Sequence, residues 1–260
     1  MMTVAMNLVY RSLCALCGTF FLAGCATAPA VGLPPEVPAM HSVSEVQDEY
    51  VAKKPDPWVG LNRGMYKLNY HLDKYVFLPV TGGYEYITPT IVQTGVSNIF
   101  DNLLDIRNLT NCIFQLKGAQ TLRTFGRFVT NSTIGIAGIF DPATSMGMEK
   151  QPEDFGQTLG YWGMEAGPYL VLPLFGPSNV RDTCGIVVDG AIRFTILTAI
   201  DPFADIDSGT ASAIQIGVTT LEAIDKRHLE KFRYYGSDFP FEYEIVRFLA
   251  GKQRELQIMK

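Results

Sequence analysis

Charge is scarce in this sequence and histidine nearly absent. Asp, Glu, Lys and Arg make up 18% of the 260 residues, below the usual quarter, and the histidines are His41, His71 and His228. No basic run of five or more residues occurs and the formal net charge is −5. Phosphate contacts need clustered Lys and Arg, so nucleic acid is excluded as a partner. There is no H-E-x-x-H, no G-x-S-x-G elbow, no P-loop and no G-x-G-x-x-G. Neither His71 nor His228 has a second metal-type residue at ligand spacing. His228 follows Asp225-Lys226-Arg227 on an expected helix and reads as a surface residue rather than a base. We therefore expect no enzyme, no metal and no cofactor. Long hydrophobic runs are missing too. Mean hydropathy is +0.12, unusually apolar, yet nothing reaches the roughly 20 apolar residues that a spanning helix needs.

What is present begins with an export signal. Arg11 is followed by a short apolar core, Ser12 to Ala23, and then by Leu22-Ala23-Gly24-Cys25. That core is too short to span, and the four residues match a bacterial lipobox, in which the Cys25 thiol carries the lipid. Two plainer readings compete: ordinary secretion with cleavage at Ala28-Pro29-Ala30, and an uncleaved anchor, which the short core argues against. Ala26, rather than Asp, follows the cysteine, so export to the outer membrane is the default. The expected organisation is a signal peptide over 1–24, lipidated Cys25 with a Pro-rich linker over 25–54, and one domain over 55–260. In the mature chain, Cys112 and Cys184 are either a disulfide or two buried thiols.

Helical spacing dominates the domain. Asp56-Pro57 reads as an N-cap followed by the first helical position. Trp58, Leu61, Met65, Leu68 and Leu72 then form one apolar stripe, with Asn62, Arg63, Asn69 and Asp73 off it. Pro79 and Gly82-Gly83 are expected to end that element. From Thr90 to about Thr130 we expect two or three helices rather than one rod, because Gly118 and Gly126 weaken it. Their polar face carries Asp105, Arg107, Gln115, Lys117, Arg123 and Arg127. In Asn131–Pro142, isoleucines interleave with Gly135 and Gly138; this is either an irregular connection in the core or a mobile apolar hairpin dipping toward lipid. Phe155 to Asp182 is expected to be irregular, a strand at Tyr169–Phe175 being interrupted by Pro173. Helical patterns return at Ser178–Ala191, Phe194–Ala199, Ser212–Arg233 and Phe241–Gln257. The fold class is mainly α, a single domain of amphipathic helices.

Three stretches carry a resemblance: DPWVGLNRGMYKLN (Asp56–Asn69), NSTIGIAGIFDPA (Asn131–Ala143) and GPYLVLPLFGPSNVRD (Gly167–Asp182). EDFGQTLGYWG (Glu153–Gly163) and LEAIDKRHL (Leu221–Leu229) fit with them. In this order, behind a lipobox, the sequence resembles the VacJ/MlaA family of outer-membrane lipoproteins from about Asp56 to Lys260. The resemblance implies a helical ring embedded in the inner leaflet of the outer membrane, with a central amphipathic channel. It implies removal of phospholipid from the outer leaflet to a soluble MlaC-like periplasmic carrier, with OmpC/OmpF-type trimeric porins as companions. Gly135 and Gly138 would then give mobility to a channel-controlling loop. Asn62, Arg63, Arg181 and Asp182 would line the channel, or equally would cap and brace helices. Tyr169 and Phe175 would rest in lipid or pack in the core. The runner-up is a non-transporting scaffold lipoprotein that organises porins or peptidoglycan.

Overall fold

The helices of this domain turn their carboxamides and carboxylates inward and their aliphatic side chains outward. The computed structural model describes residues 56–200, 206–236 and 239–259, apart from the side chains at 197 and 200. Cys25, the linker and the boundaries expected at 24/25 and 54/55 lie outside the described residues. Helix α1 (Val59–Leu72) runs through a π-helical turn (Asp73–Phe77) into α2 (Leu78–Ile87). Pro79 therefore does not end the element, as expected from the sequence, but sits in the first turn of α2. The wider π turn ahead of it gives room where a proline would otherwise strike the carbonyl four residues back. The helix stops at Thr88, which is extended, as the residue before a proline tends to be. Asp56 also departs from expectation. It caps the turn ahead of α1, its Oδ1 accepting from Trp58 N at 3.0 Å, and the helix itself begins at Val59.

The Thr90–Thr130 region is two helices, α3 (Thr90–Phe114) and α4 (Gly118–Thr133). They part at Leu116, whose φ of 56° takes the chain out of the helix, whereas α4 passes through Gly126 unbroken. After α5 (Pro142–Ser145) and α6 (Phe155–Tyr161) comes a hairpin rather than irregular chain: β1 (Tyr169–Leu172) pairs antiparallel with β2 (Gly176–Asn179). Pro173 does not interrupt the strand because it lies in the three-residue loop, where Leu174 at φ 69° and Gly176 at φ 76° make the reversal. Helices α7 (Val180–Ile200), α8 (Ser208–Leu229) and α9 (Glu242–Ile258) complete the chain. The two segments expected around Ala191–Phe194 are thus one helix. Asp154 caps α6 and Asp207 caps α8 through their carboxylates, and Lys226 and Arg227 close α8 with positive charge against its dipole. The described residues belong to one compact, mainly helical unit.

Among the described residues, buried polar side chains outnumber buried apolar ones. In α4, Thr124, Arg127 and Asn131 are buried, while Leu122 (74% exposed), Phe125 (53%) and Val129 face out. In α1 the stripe Trp58, Leu61 and Leu68 is exposed, and Asn62, Tyr66, Asn69 and Tyr70 are buried. Such an interior holds because its polar groups are paired. Arg127, 1% exposed, gives Nη1 to Thr144 Oγ1 at 2.8 Å and Nη2 to Asp141 Oδ2 at 3.0 Å, and reaches Asp105 with Nε at 3.3 Å. Buried polar groups without partners would cost far more than they return. No described helix is long and apolar enough to cross a membrane.

Candidate functional site

The site is framed by braces that tie the helices to the hairpin. Fully buried Asn62 donates from Nδ2 to Tyr169 O at 3.0 Å and accepts at Oδ1 from Val171 N at 2.9 Å. Asn69 repeats this with Leu172 O and Leu174 N, both at 2.9 Å. Each carboxamide thus presents one donor and one acceptor, as a neighbouring strand's peptide would. Arg63 pairs with Glu244 of α9 and lies over the Tyr243 ring at 5.2 Å. Arg181 donates from Nε to Asp182 Oδ1 at 2.9 Å and from Nη1 to Met164 O. Asp182 Oδ2 in turn accepts from Arg254 Nε at 2.8 Å, and Arg254 Nη1 reaches Asp154 Oδ2 at 2.7 Å. These contacts join α6, α7 and α9. Burial opposes ionisation of Asp154, but the Arg254 guanidinium outweighs it and keeps the carboxyl below its usual range.

Close backbone approach fixes two other corners. At the α6–α7 crossing, a Cβ on Gly185 would lie 2.3 Å from Gly156 N. In the turn after α4, a Cβ on Gly135 would lie 2.4 Å from the carbonyls of Asn131 and Phe140. Gly138, at φ +88°, would bring one to 2.8 Å from Asn102 Cβ. Gly135 and Gly138 are buried while Ile134, Ile136 and Phe140 are exposed. The turn is coiled on its own hydrogen bonds, Gly138 N to Asn131 O and Phe140 N to Gly135 O, both at 2.9 Å. Close packing is the reason the structure supplies for these glycines. Cys112 is a buried free thiol and Cys184 an exposed one, so they are not joined. Tyr169 packs edge-on to Tyr243, whereas Phe175 is exposed.

Within this frame lies a cavity of about 1380 Å³, larger than most small-molecule sites. Its lining includes apolar side chains, Leu103 and Ile106 of α3, Ile186 and Ile196 of α7, and Phe248 of α9. The same helices also bring charge to it: Asp154, Asp182 and Arg254, then Arg193 and Lys226 sharing Glu222, together with Arg107 and Arg247. Of the channel candidates read from the sequence, Asp182 lines this cavity, and Asn62, Arg63, Arg181, Gly135 and Gly138 do not; Tyr169 and Phe175 line it as well. Cys25 lies outside the described residues. Arg107 was visible as part of a polar helical face, but Arg254 stands in α9 with no local signal, since its partners are distant in sequence. Among the described residues no three His, Cys, Asp or Glu side chains gather as a metal site. The cavity offers a space lined by both apolar and charged side chains.

The comparisons agree with this architecture. The model of the MlaA lipoprotein family matches residues 54–257. An uncharacterised protein of Rickettsia prowazekii is 35% identical over 139 residues, 53% of this chain and 55% of that protein. The Escherichia coli intermembrane phospholipid transport system lipoprotein MlaA is 32% identical over 178 residues, 67% of this chain and 66% of its own. The chain thus spans about half the length of the rickettsial relative and 66% of the E. coli one. A chain solved for the structural basis of maintaining bacterial outer membrane lipid asymmetry superposes with a TM-score of 0.58 at 25% identity, covering 79% of this chain and all of that one. With a family match that covers nearly the whole polar-cored helical unit, this chain belongs to the MlaA lipoprotein family.

Proposed function

We propose that this protein removes phospholipids from the outer leaflet of the outer membrane and passes them to a periplasmic carrier, so maintaining lipid asymmetry. The observation that carries the reading is a cavity lined by both apolar and charged side chains, inside a domain whose outer faces are apolar. A phospholipid has the same two-sided character. Moving its head group through hydrocarbon unpaired is costly, and a polar wall beside an apolar one lowers that barrier with no bond made or broken. The exposed faces of α1, α3 and α4 support embedding in a leaflet, because apolar patches of that extent mark contact with membrane or protein. Contacts that lead from α3 to α8, α2, α1, the hairpin, α9, α6 and back to α3 support a ring around the cavity. In this reading Cys25 carries the acyl chains, at about 0.8 kcal/mol per buried CH₂, and 25–54 is the tether. Asp182 belongs to the channel wall. The partners are an MlaC-like carrier and OmpC/OmpF-type porins, and the site is the periplasmic side of the outer membrane.

The test is the phospholipid content of the outer leaflet in cells lacking the gene, complemented with wild type or Cys25→Ala. Accumulation that wild type corrects, and Cys25→Ala corrects poorly, is the expected result. Unchanged asymmetry in the deletion, with no second copy of the gene, would sink the transport reading.

A further inference from the structure

The cations along the cavity are not equivalent. Arg254 is held by Asp154 and Asp182, Arg193 and Lys226 by Glu222, and Lys252 by Glu255. Arg247 has Asp56 at 3.8 Å. Arg107 differs: no carboxylate of the described residues forms an ion pair with it, and its Nε is buried without a hydrogen-bond partner. The carboxylate its field reaches is Asp189, which is already occupied by Asn111 Nδ2 and by Phe155 N, each at 3.0 Å. Arg107 stands on the cavity wall among Leu103, Leu104 and Ile106. A guanidinium in such surroundings loses hydration, and its Nε gains no hydrogen bond in exchange.

We propose that Arg107 binds the phosphodiester of a phospholipid whose acyl chains lie along the wall formed by Leu103, Ile106, Ile196 and Phe248. This rests on the transport reading and adds the group that reads the head. The planar fork of a guanidinium matches two phosphate oxygens at once, which an ammonium does not. The phosphate is common to zwitterionic and anionic lipids, so Arg107 sorts lipids that carry one from diacylglycerols that do not.

The full-length lipoprotein in detergent micelles is titrated with dihexanoyl phosphatidylglycerol, with dihexanoylglycerol, and with inorganic phosphate. Arg107→Gln should weaken phosphatidylglycerol binding by about tenfold or more, the range expected for a charge-assisted hydrogen bond. Arg107→Lys should lose less, and dihexanoylglycerol binding should be the same in all three proteins. Unchanged phosphatidylglycerol binding in Arg107→Gln overturns the assignment. So does an equal loss for dihexanoylglycerol, which would mark a general packing defect. Inorganic phosphate binding as tightly as the lipid would identify a free-anion site and overturn the lipid assignment. Complementation of the deletion is scored in parallel. Wild type restoring asymmetry while Arg107→Gln binds normally removes this inference alone, and wild type failing to restore asymmetry removes the transport reading.

Discussion

Replacing Asn62 separates a brace from a channel wall. Its side chain is fully buried and makes three hydrogen bonds, from Nδ2 to Asp56 Oδ1 and Tyr169 O and at Oδ1 from Val171 N. Asn62→Ala strands the buried Val171 N–H and weakens the hold on Tyr169 O. At roughly 1–3 kcal/mol for each group left unsatisfied, the loss is about 2–4 kcal/mol. For a domain of this size that is a fall of roughly 5–15 °C in Tm. Asn62→Asp is the sharper variant, since its shape is unchanged. It keeps the acceptor for Val171 N but turns the donor into an anionic oxygen that faces the Asp56 carboxylate and the Tyr169 carbonyl. It should lose at least as much stability as Asn62→Ala. The assay is thermal unfolding by circular dichroism of the lipoprotein in detergent, beside complementation of outer-leaflet phospholipid. Variants that melt like wild type but fail to restore asymmetry would refute the brace and return Asn62 to the channel.

Four further outcomes are expected. Gly185→Ala places a methyl 2.3 Å from Gly156 N; backbone cannot yield as a flexible side chain would, so stability should fall by about 1–3 kcal/mol of overpacking, read as a lower Tm. Gly64→Ala, with nothing within 4 Å, should leave stability unchanged or raise it by up to about 1 kcal/mol, read as an equal or higher Tm. At Asp141, burial opposes ionisation but is outweighed by hydrogen bonds from Thr144, Arg127 and Asn131, which hold the carboxyl at about 2 against 3.8. Its contribution is therefore present above pH 3.8 and is lost as pH falls toward about 2; Asp141→Asn should flatten that part of a stability–pH profile measured by chemical denaturation. Leu122→Lys, on an outward position, should leave the circular dichroism melt intact yet reduce retention on phospholipid vesicles of the protein carrying Cys25→Ala, and unchanged retention would argue against a lipid-facing α4.

The helices were legible in the sequence because period is independent of which face points in. The spacing of Leu122, Phe125 and Val129 is the same whether a core or a bilayer supplies the apolar surroundings. The side that Asn62 and Asn69 occupy could not be read from period, since a carboxamide off the stripe is ordinarily hydrated, and here both are buried against β1. The hairpin was missed because Pro173 looked like a break within a strand, when it is a break between two. At the cavity, Asp182 was found through a motif, but the Arg254–Asp154 contact spans 100 residues and has no signature in either segment. Arg107 was visible as a charge, and what distinguishes it, the lack of a partner, exists only in three dimensions.

The paired asparagines of α1 have a mechanical consequence. Seven helical residues advance about 10.5 Å, and three strand residues advance roughly 10 Å. Asn62 and Asn69 therefore arrive opposite Tyr169 and Leu172 as two teeth of equal pitch on unlike racks. An insertion between the teeth would turn one carboxamide about 100° away from its mate while leaving the other engaged, and a slip of the whole helix by one residue would disengage both. The helix and the hairpin can mesh at one setting, so the width of the opening that β1 helps to bound is fixed by counting residues rather than by how tightly its walls are pressed.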